Sequence, residues 1–208
     1  MPELRHNIER VAMKPLGDKM SLADHINNHD LRNHELNALA KVRFIDEETQ
    51  LAIAKQPYRR AKLHLASNEN LCEAAREELW DHRGYALKCD LVAAGHYVDD
   101  PQRYYDLFRS HSWRRSDWRL LRTFVNTQSW YHDKGAVATP SDLLAEIYHY
   151  FIDTFKNDRW NSWEWQVVNF ARHPNCDLDL ALLMSTSTVE KIRDAAIARI
   201  EKLTGKAS

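Results

Sequence analysis

The sequence predicts an all-α protein built from short helix pairs that share one continuous core, and three observations carry that prediction. All five glycines (17, 84, 95, 135, 205) and all six prolines (2, 15, 57, 101, 140, 174) fall between helix-period apolar patterns or at their ends. No period-2 run of β-branched residues competes for a sheet. Apolar pairs also recur at a fixed step: Leu39-Ala40, Leu65-Ala66 and Leu91-Val92 are spaced 26 residues apart.

The clearest unit spans 65–95. Asn70 precedes an apolar-periodic run and Glu73 stands three residues on, a capping-box spacing that places a helix start at Leu71. Leu71, Ala75 and Leu79 share one face, while Glu73, Arg76 and Glu77 face water. Gly84 allows the turn, and a second helix over 85–94 ends at Gly95. A pair this short cannot bury its own apolar stripe and needs neighbours on either side.

Residues 1–20 form a lead-in, and 21–205 read as a single helical domain. Ser21 with Asp24 caps a helix carrying Leu22, Ile26, Leu36, Leu39 and Ala40, with an interruption near Asn28. Asp46 with Thr49 starts a helix through Ala54, Pro57 closes the connection, and 58–66 is the next helix. Asp100-Pro101 is a helix start with proline in the first position, and Tyr104, Leu107 and Phe108 are its apolar side. A longer helix is expected over 112–126, burying Trp113, Leu120 and Phe124 or Trp118, Leu121 and Val125. Residues 128–138 read as a loop. Thr139, Pro140 and Asp142 then start a helix to about Phe155, and further helices cover 160–172 and 178–184. Ser187 with Glu190 caps the last helix, 189–203, which Gly205 closes. About nine or ten helices are expected in all.

The segments 65–79, LASNENLCEAAREEL, and 170–184, FARHPNCDLDLALLM, match in residue class: a large apolar residue, Ala, a polar trio, Asn, then a helix ending in Leu or Met. On these residues the chain resembles the leucine-rich variant and HEAT-like families of α-helical repeats, which set an apolar-Ala pair before a short polar turn and a second helix. The resemblance covers about 39–200, with its clearest repeats over 39–116, a break over 127–138 and C-terminal repeats over 139–205. It implies an irregular, curved α-solenoid and no particular activity.

Composition narrows the function. The 208 residues are 44% hydrophobic and 28% charged, with net charge −1, so there is no global attraction to nucleic acid or membrane. Charge is segregated locally: 101–122 holds six arginines against Asp106 and Asp117, whereas 139–190 holds eight acids against Lys156, Arg159 and Arg172. Three cysteines, Cys72, Cys89 and Cys176, have no CxxC spacing, which argues against a disulfide framework or a thiolate zinc site. With a polar N-terminus and no apolar run long enough for a bilayer, a cytoplasmic location is expected.

The strongest functional stretch is 103–122, where arginines interleave with aromatic residues. Arg115, Arg119 and Arg122 would share one helix face, flanked by Arg109, Arg114, Trp113 and Trp118. Guanidinium groups so placed pair with phosphates or with a partner's carboxylates, and the rings can stack on bases. The bland alternative is a solvated face neutralised by the acidic C-terminal half. The second stretch is 160–165, WNSWEW, whose three tryptophans cannot all face one helix side; Trp163 or Trp165 would anchor a protein interface.

A protein partner is expected, of the inhibitor, immunity or adaptor kind, bound through this charged, aromatic-rich face centred on Arg114, Arg115, Arg119 and Arg122. The alternative is a nucleic-acid-binding HEAT-like protein, similar to the alkylpurine DNA glycosylases, to which Trp113, Arg115 and Asp117 would belong. No catalytic, cofactor or metal residue is assigned. His25 and His29 stand at i, i+4, but HExxH is absent, the pairs His29-Asp30 and His132-Asp133 complete no HD-type set, and no Gly-rich phosphate loop or GxSxG elbow is present.

Overall fold

The computed structural model describes residues 20–110, 123–126, 134–155 and 164–205. Among the described residues it is all-helical, with eleven α-helices, one 3-10 turn over Ala136–Ala138 and no strand. The helix count exceeds the nine or ten expected, partly because 21–40 is two helices. Asn28 ends the first of them, and His29 takes a left-handed φ of 60° that no helix can continue through. The chain divides between His96 and Tyr97 into two compact units.

Unit 1 contains α1 (Leu22–Asn27), α2 (Asn33–Leu39), α3 (Glu47–Lys55), α4 (Arg59–Ala66), α5 (Glu73–Asp81) and α6 (Tyr85–Ala93). The short-range signals act as read from sequence. Ser21 and Asp24 close a capping box on α1, and Asp46 accepts the Thr49 N–H at 2.8 Å to start α3. From α3 to α5 and from α4 to α6 the helix starts advance by 26 residues, 47 to 73 and 59 to 85. The odd-numbered helices pack in succession, α1 on α3 and α3 on α5; so do the even-numbered ones, α2 on α4 and α4 on α6. Leu39, Leu65 and Leu91, one step apart, are all buried.

Two local expectations change in unit 1. Helix α5 starts at Glu73, not Leu71, with Cys72 in the N-cap position and no side-chain cap. Asn70 is recruited elsewhere: its Nδ2 donates to the Arg43 carbonyl at 3.2 Å, and its N–H donates to Asn68 Oδ1 at 3.0 Å. The buried Gln50 side chain accepts the Cys72 N–H at 2.7 Å and donates to the carbonyls of Ile45 and Asn70. Acceptors and donors twenty or more residues back thus outcompete the local capping box. At Gly84 the backbone is ordinary extended (φ −79°), so positive φ is not the reason for glycine. A Cβ there would stand 3.1 Å from His82 Nδ1.

Unit 2 contains α7 (Pro101–Arg109), the 3-10 turn, α8 (Ser141–Phe155), α9 (Glu164–Arg172), α10 (Leu178–Ser185) and α11 (Glu190–Thr204). Tyr104, Leu107 and Phe108 are the buried side of α7, as its spacing requires. Phe108 meets Phe124 edge-on with centroids 6.1 Å apart, and the buried Tyr104 hydroxyl donates to the Gly135 carbonyl at 2.8 Å. Asp177 caps α10 through the Leu180 N–H. Helix α11 packs on α10 and α9, and Gly205 closes it in the left-handed conformation (φ 69°). Its first residue is Glu190, and the cap expected from Ser187 is absent; the Ser187 hydroxyl instead accepts the Val189 N–H at 3.2 Å.

Candidate macromolecule-binding face

Of the residues expected to form the charged aromatic face, Arg109 lies within the described structure, in the last turn of α7. It is not a free cation. Its Nη2 donates to Glu146 Oε2 at 2.8 Å and its Nε to Oε1 at 3.3 Å, a two-point grip from α8. The guanidinium also lies 4.9 Å from the centroid of Tyr105, one turn back on α7. The Tyr105 hydroxyl donates to Asp142 Oδ1 at 2.6 Å. Burial and that carboxylate push the Tyr105 phenol up to about 12, so it stays protonated and donating at any physiological pH. Arginine, tyrosine and two carboxylates therefore lace α7 to α8. Here the basic stretch and the acidic C-terminal half meet each other, and an external anion would have to displace Glu146.

Arg103 is likewise occupied, with its guanidinium 5.2 Å from the Tyr97 centroid and its Nε 3.6 Å from Asp100. Trp113, Arg114, Arg115, Trp118, Arg119 and Arg122 lie outside the described residues, as does Trp163. Trp165 is on α9, and its side chain also lies outside them. Phe124 and Val125, each in one of the two alternative apolar rows of 112–126, are both buried.

Sequence reasoning passed over α10. Its sequence, LDLALLMS, is apolar nearly all round. Leu180, Ala181 and Met184 fill the core, while Leu178 and Leu182, one turn apart on the outer side, are 40% and 48% exposed. The signal was available: a helix without a polar stripe has no side suited to water.

The histidine pair at 25 and 29 does not converge on a metal. His25 Nδ1 lies 2.9 Å from Asp30 Oδ2, and among the described residues no group of three or more His, Cys, Asp or Glu is placed to hold an ion. Among them, too, no helix is long and apolar enough to cross a membrane. No family model, curated protein or solved structure matches the chain.

Proposed function

We propose that the chain is a non-catalytic α-solenoid scaffold that binds another protein. The 26-residue advance of helix pairs in unit 1, with odd and even helices forming separate packed rows, supports the HEAT-like or leucine-rich-variant-like reading. The observation that carries the protein-binding reading is α10, which turns Leu178 and Leu182 outward from a helix apolar on both sides. Covering exposed leucines on one helix face is what a protein surface does well and a phosphate backbone does not. The occupation of Arg109 by Glu146 points the same way, because a phosphate-reading arginine should be free to reach outward.

The test pairs two variants. Leu178→Glu/Leu182→Glu should abolish capture of the protein partner held by the wild type, at unchanged helicity, and the wild-type complex should survive about 200 mM salt. Arg115→Glu/Arg119→Glu should leave that capture intact. The reading is overturned if fluorescence anisotropy shows oligonucleotide binding that falls by roughly 10³ between about 50 and 200 mM salt and is lost in the arginine variant.

A further inference from the structure

The turn between α9 and α10 is built around His173. The side chain is fully buried, yet Pro174 and Asn175 beside it are exposed, so water and protons reach the turn. Both ring nitrogens are committed, with opposite polarity. Nδ1 accepts the Asn175 N–H at 3.1 Å, so its lone pair is in use. Nε2 stands 2.6 Å from the Ala136 carbonyl oxygen, and therefore carries the proton and donates. Only the neutral ring makes both bonds.

The same turn is tied down from two further sides. Asn175 Nδ2 donates to the carbonyls of Val137 and Thr139, each at 2.9 Å. From α11, Arg199 Nη2 donates to the carbonyls of Pro174 and Cys176, both at 2.7 Å. Asp177 follows at once, accepting the Leu180 N–H to start α10. No group around the ring offsets a positive charge on it. Arg199 repels one, burial pushes the Cys176 thiol up to about 11 and so keeps it neutral, and Asp177 is engaged on α10. Arg172 at the end of α9 and Lys134 ahead of the 3-10 turn are exposed cations, and Asp142 on α8 is held by Tyr105.

A proton added at Nδ1 would set an N–H against the Asn175 N–H. The bond at Nε2 survives, because an imidazolium donates to a carbonyl more strongly than a neutral ring does. The break therefore falls between the ring and its own turn. We propose that His173 is an acid-operated latch in unit 2: protonation leaves the ring on Ala136, draws Asn175 off Val137 and Thr139, and frees the turn that starts α10. A loosened α10 start disturbs the outer face at Leu178. That consequence rests on the protein-binding reading; the latch does not, and it is tested on the protein alone.

The test is hydrogen exchange, read residue by residue in ¹⁵N spectra at about pH 7 and about pH 5.5 and corrected for intrinsic rates. Opening at the amides of 175–180 should rise by about tenfold. The released ring titrates near its ordinary 6.5 and the latched ring lower, so protons favour the open turn as pH falls. The rise should be insensitive to urea below the unfolding transition, as a local event is. His173→Asn keeps a donor for Ala136 and an acceptor for Asn175, as Asn68 does in unit 1, and should open equally at both pH values. The latch is overturned by equal opening in the wild type, by a rise that persists in His173→Asn, or by a rise with the urea dependence of global unfolding. Where the variant does not fold, the ring ¹⁵N resonances of the wild type decide. Proton uptake at Nδ1 that coincides with turn opening supports the latch, and a ring that stays neutral while the turn opens overturns it.

Discussion

In unit 1 the turn after α4 is held by Asn68, whose Nδ2 donates to the Val42 carbonyl at 2.9 Å while its Oδ1 accepts the Asn70 N–H at 3.0 Å. In unit 2 the turn after α9 is held by His173. Its Nε2 lies 2.6 Å from the Ala136 carbonyl oxygen and its Nδ1 accepts the Asn175 N–H at 3.1 Å. The second residue of each turn completes the tie: Asn70 Nδ2 donates to Arg43, and Asn175 Nδ2 donates to Val137 and Thr139. An amide and an imidazole thus perform one job, a donor to an earlier carbonyl combined with an acceptor for the turn. The difference lies in titration. His173 can keep Nδ1 as an acceptor only while neutral, and burial, helped by the positive charge of Arg199, lowers its pKa. Asn68 has no such dependence. Geometry is shared between the units, whereas pH sensitivity at this turn belongs to unit 2.

The largest expected effect breaks the comparison at its core. His173→Ala leaves the Ala136 carbonyl and the Asn175 N–H without their partner at a fully buried position, and should destabilise unit 2 by about 3 kcal/mol. Asn68→Ala should cost unit 1 about 2 kcal/mol. Urea unfolding followed by hydrogen exchange in each unit separates the two, since two units need not unfold as one transition. His173→Asn sharpens the comparison. The His173 contribution is complete above the unfolded pKa near 6.5 and is lost as pH falls through the lower folded value, because the unfolded ring takes its proton first. The asparagine variant should lose that part of the acid slope; an unchanged slope would show that the ring is not its source.

Next in size is Asp90, on α6 of unit 1, where burial raises the carboxyl to about 6 and Arg59 only partly offsets it. Its sign is opposite to that of His173. Stability is full while the carboxyl is protonated in both states, below about 4, and is lost as pH rises through about 6. Asp90→Asn should therefore raise unit 1 stability by about 2 kcal/mol at pH 8 and have little effect at pH 4. His64, His82 and His96, all lowered chiefly by burial, pull unit 1 the other way in acid, so its wild-type profile should be flatter than either contribution alone.

The smallest effect is at the surface. Arg109→Gln removes an exposed ion pair with Glu146 and should leave the unfolding midpoint of unit 2 where it is. A clear fall in that midpoint would mean that the α7–α8 lattice contributes more than exposed pairs usually do.

Most of the helical map was legible because the signals that start and stop a helix act over three or four residues. Ser21 with Asp24, Asp46 with Thr49, Pro101 and Gly205 all lie within one turn of the ends they define. The candidate face was less legible. Arginines and aromatics in 103–122 announce a charged face, but whether a guanidinium is free depends on what lies opposite it. For Arg109 that is Glu146, 37 residues further along the chain.

The sequence by itself determined the all-helical class, the 26-residue step in its first half and the likeness of 65–79 to 170–184, since each follows from local periodicity or from composition at a fixed spacing. Tertiary structure alone decided what the polar residues do. Asn70 leaves its expected cap for a carbonyl 27 residues back, Gly84 is small because of the His82 ring, and Lys62 becomes a buried cation without an ion-pair partner among the described residues. A polar side chain takes the partner that packing brings within about 3 Å, and that partner's place in the chain is set by the fold as a whole.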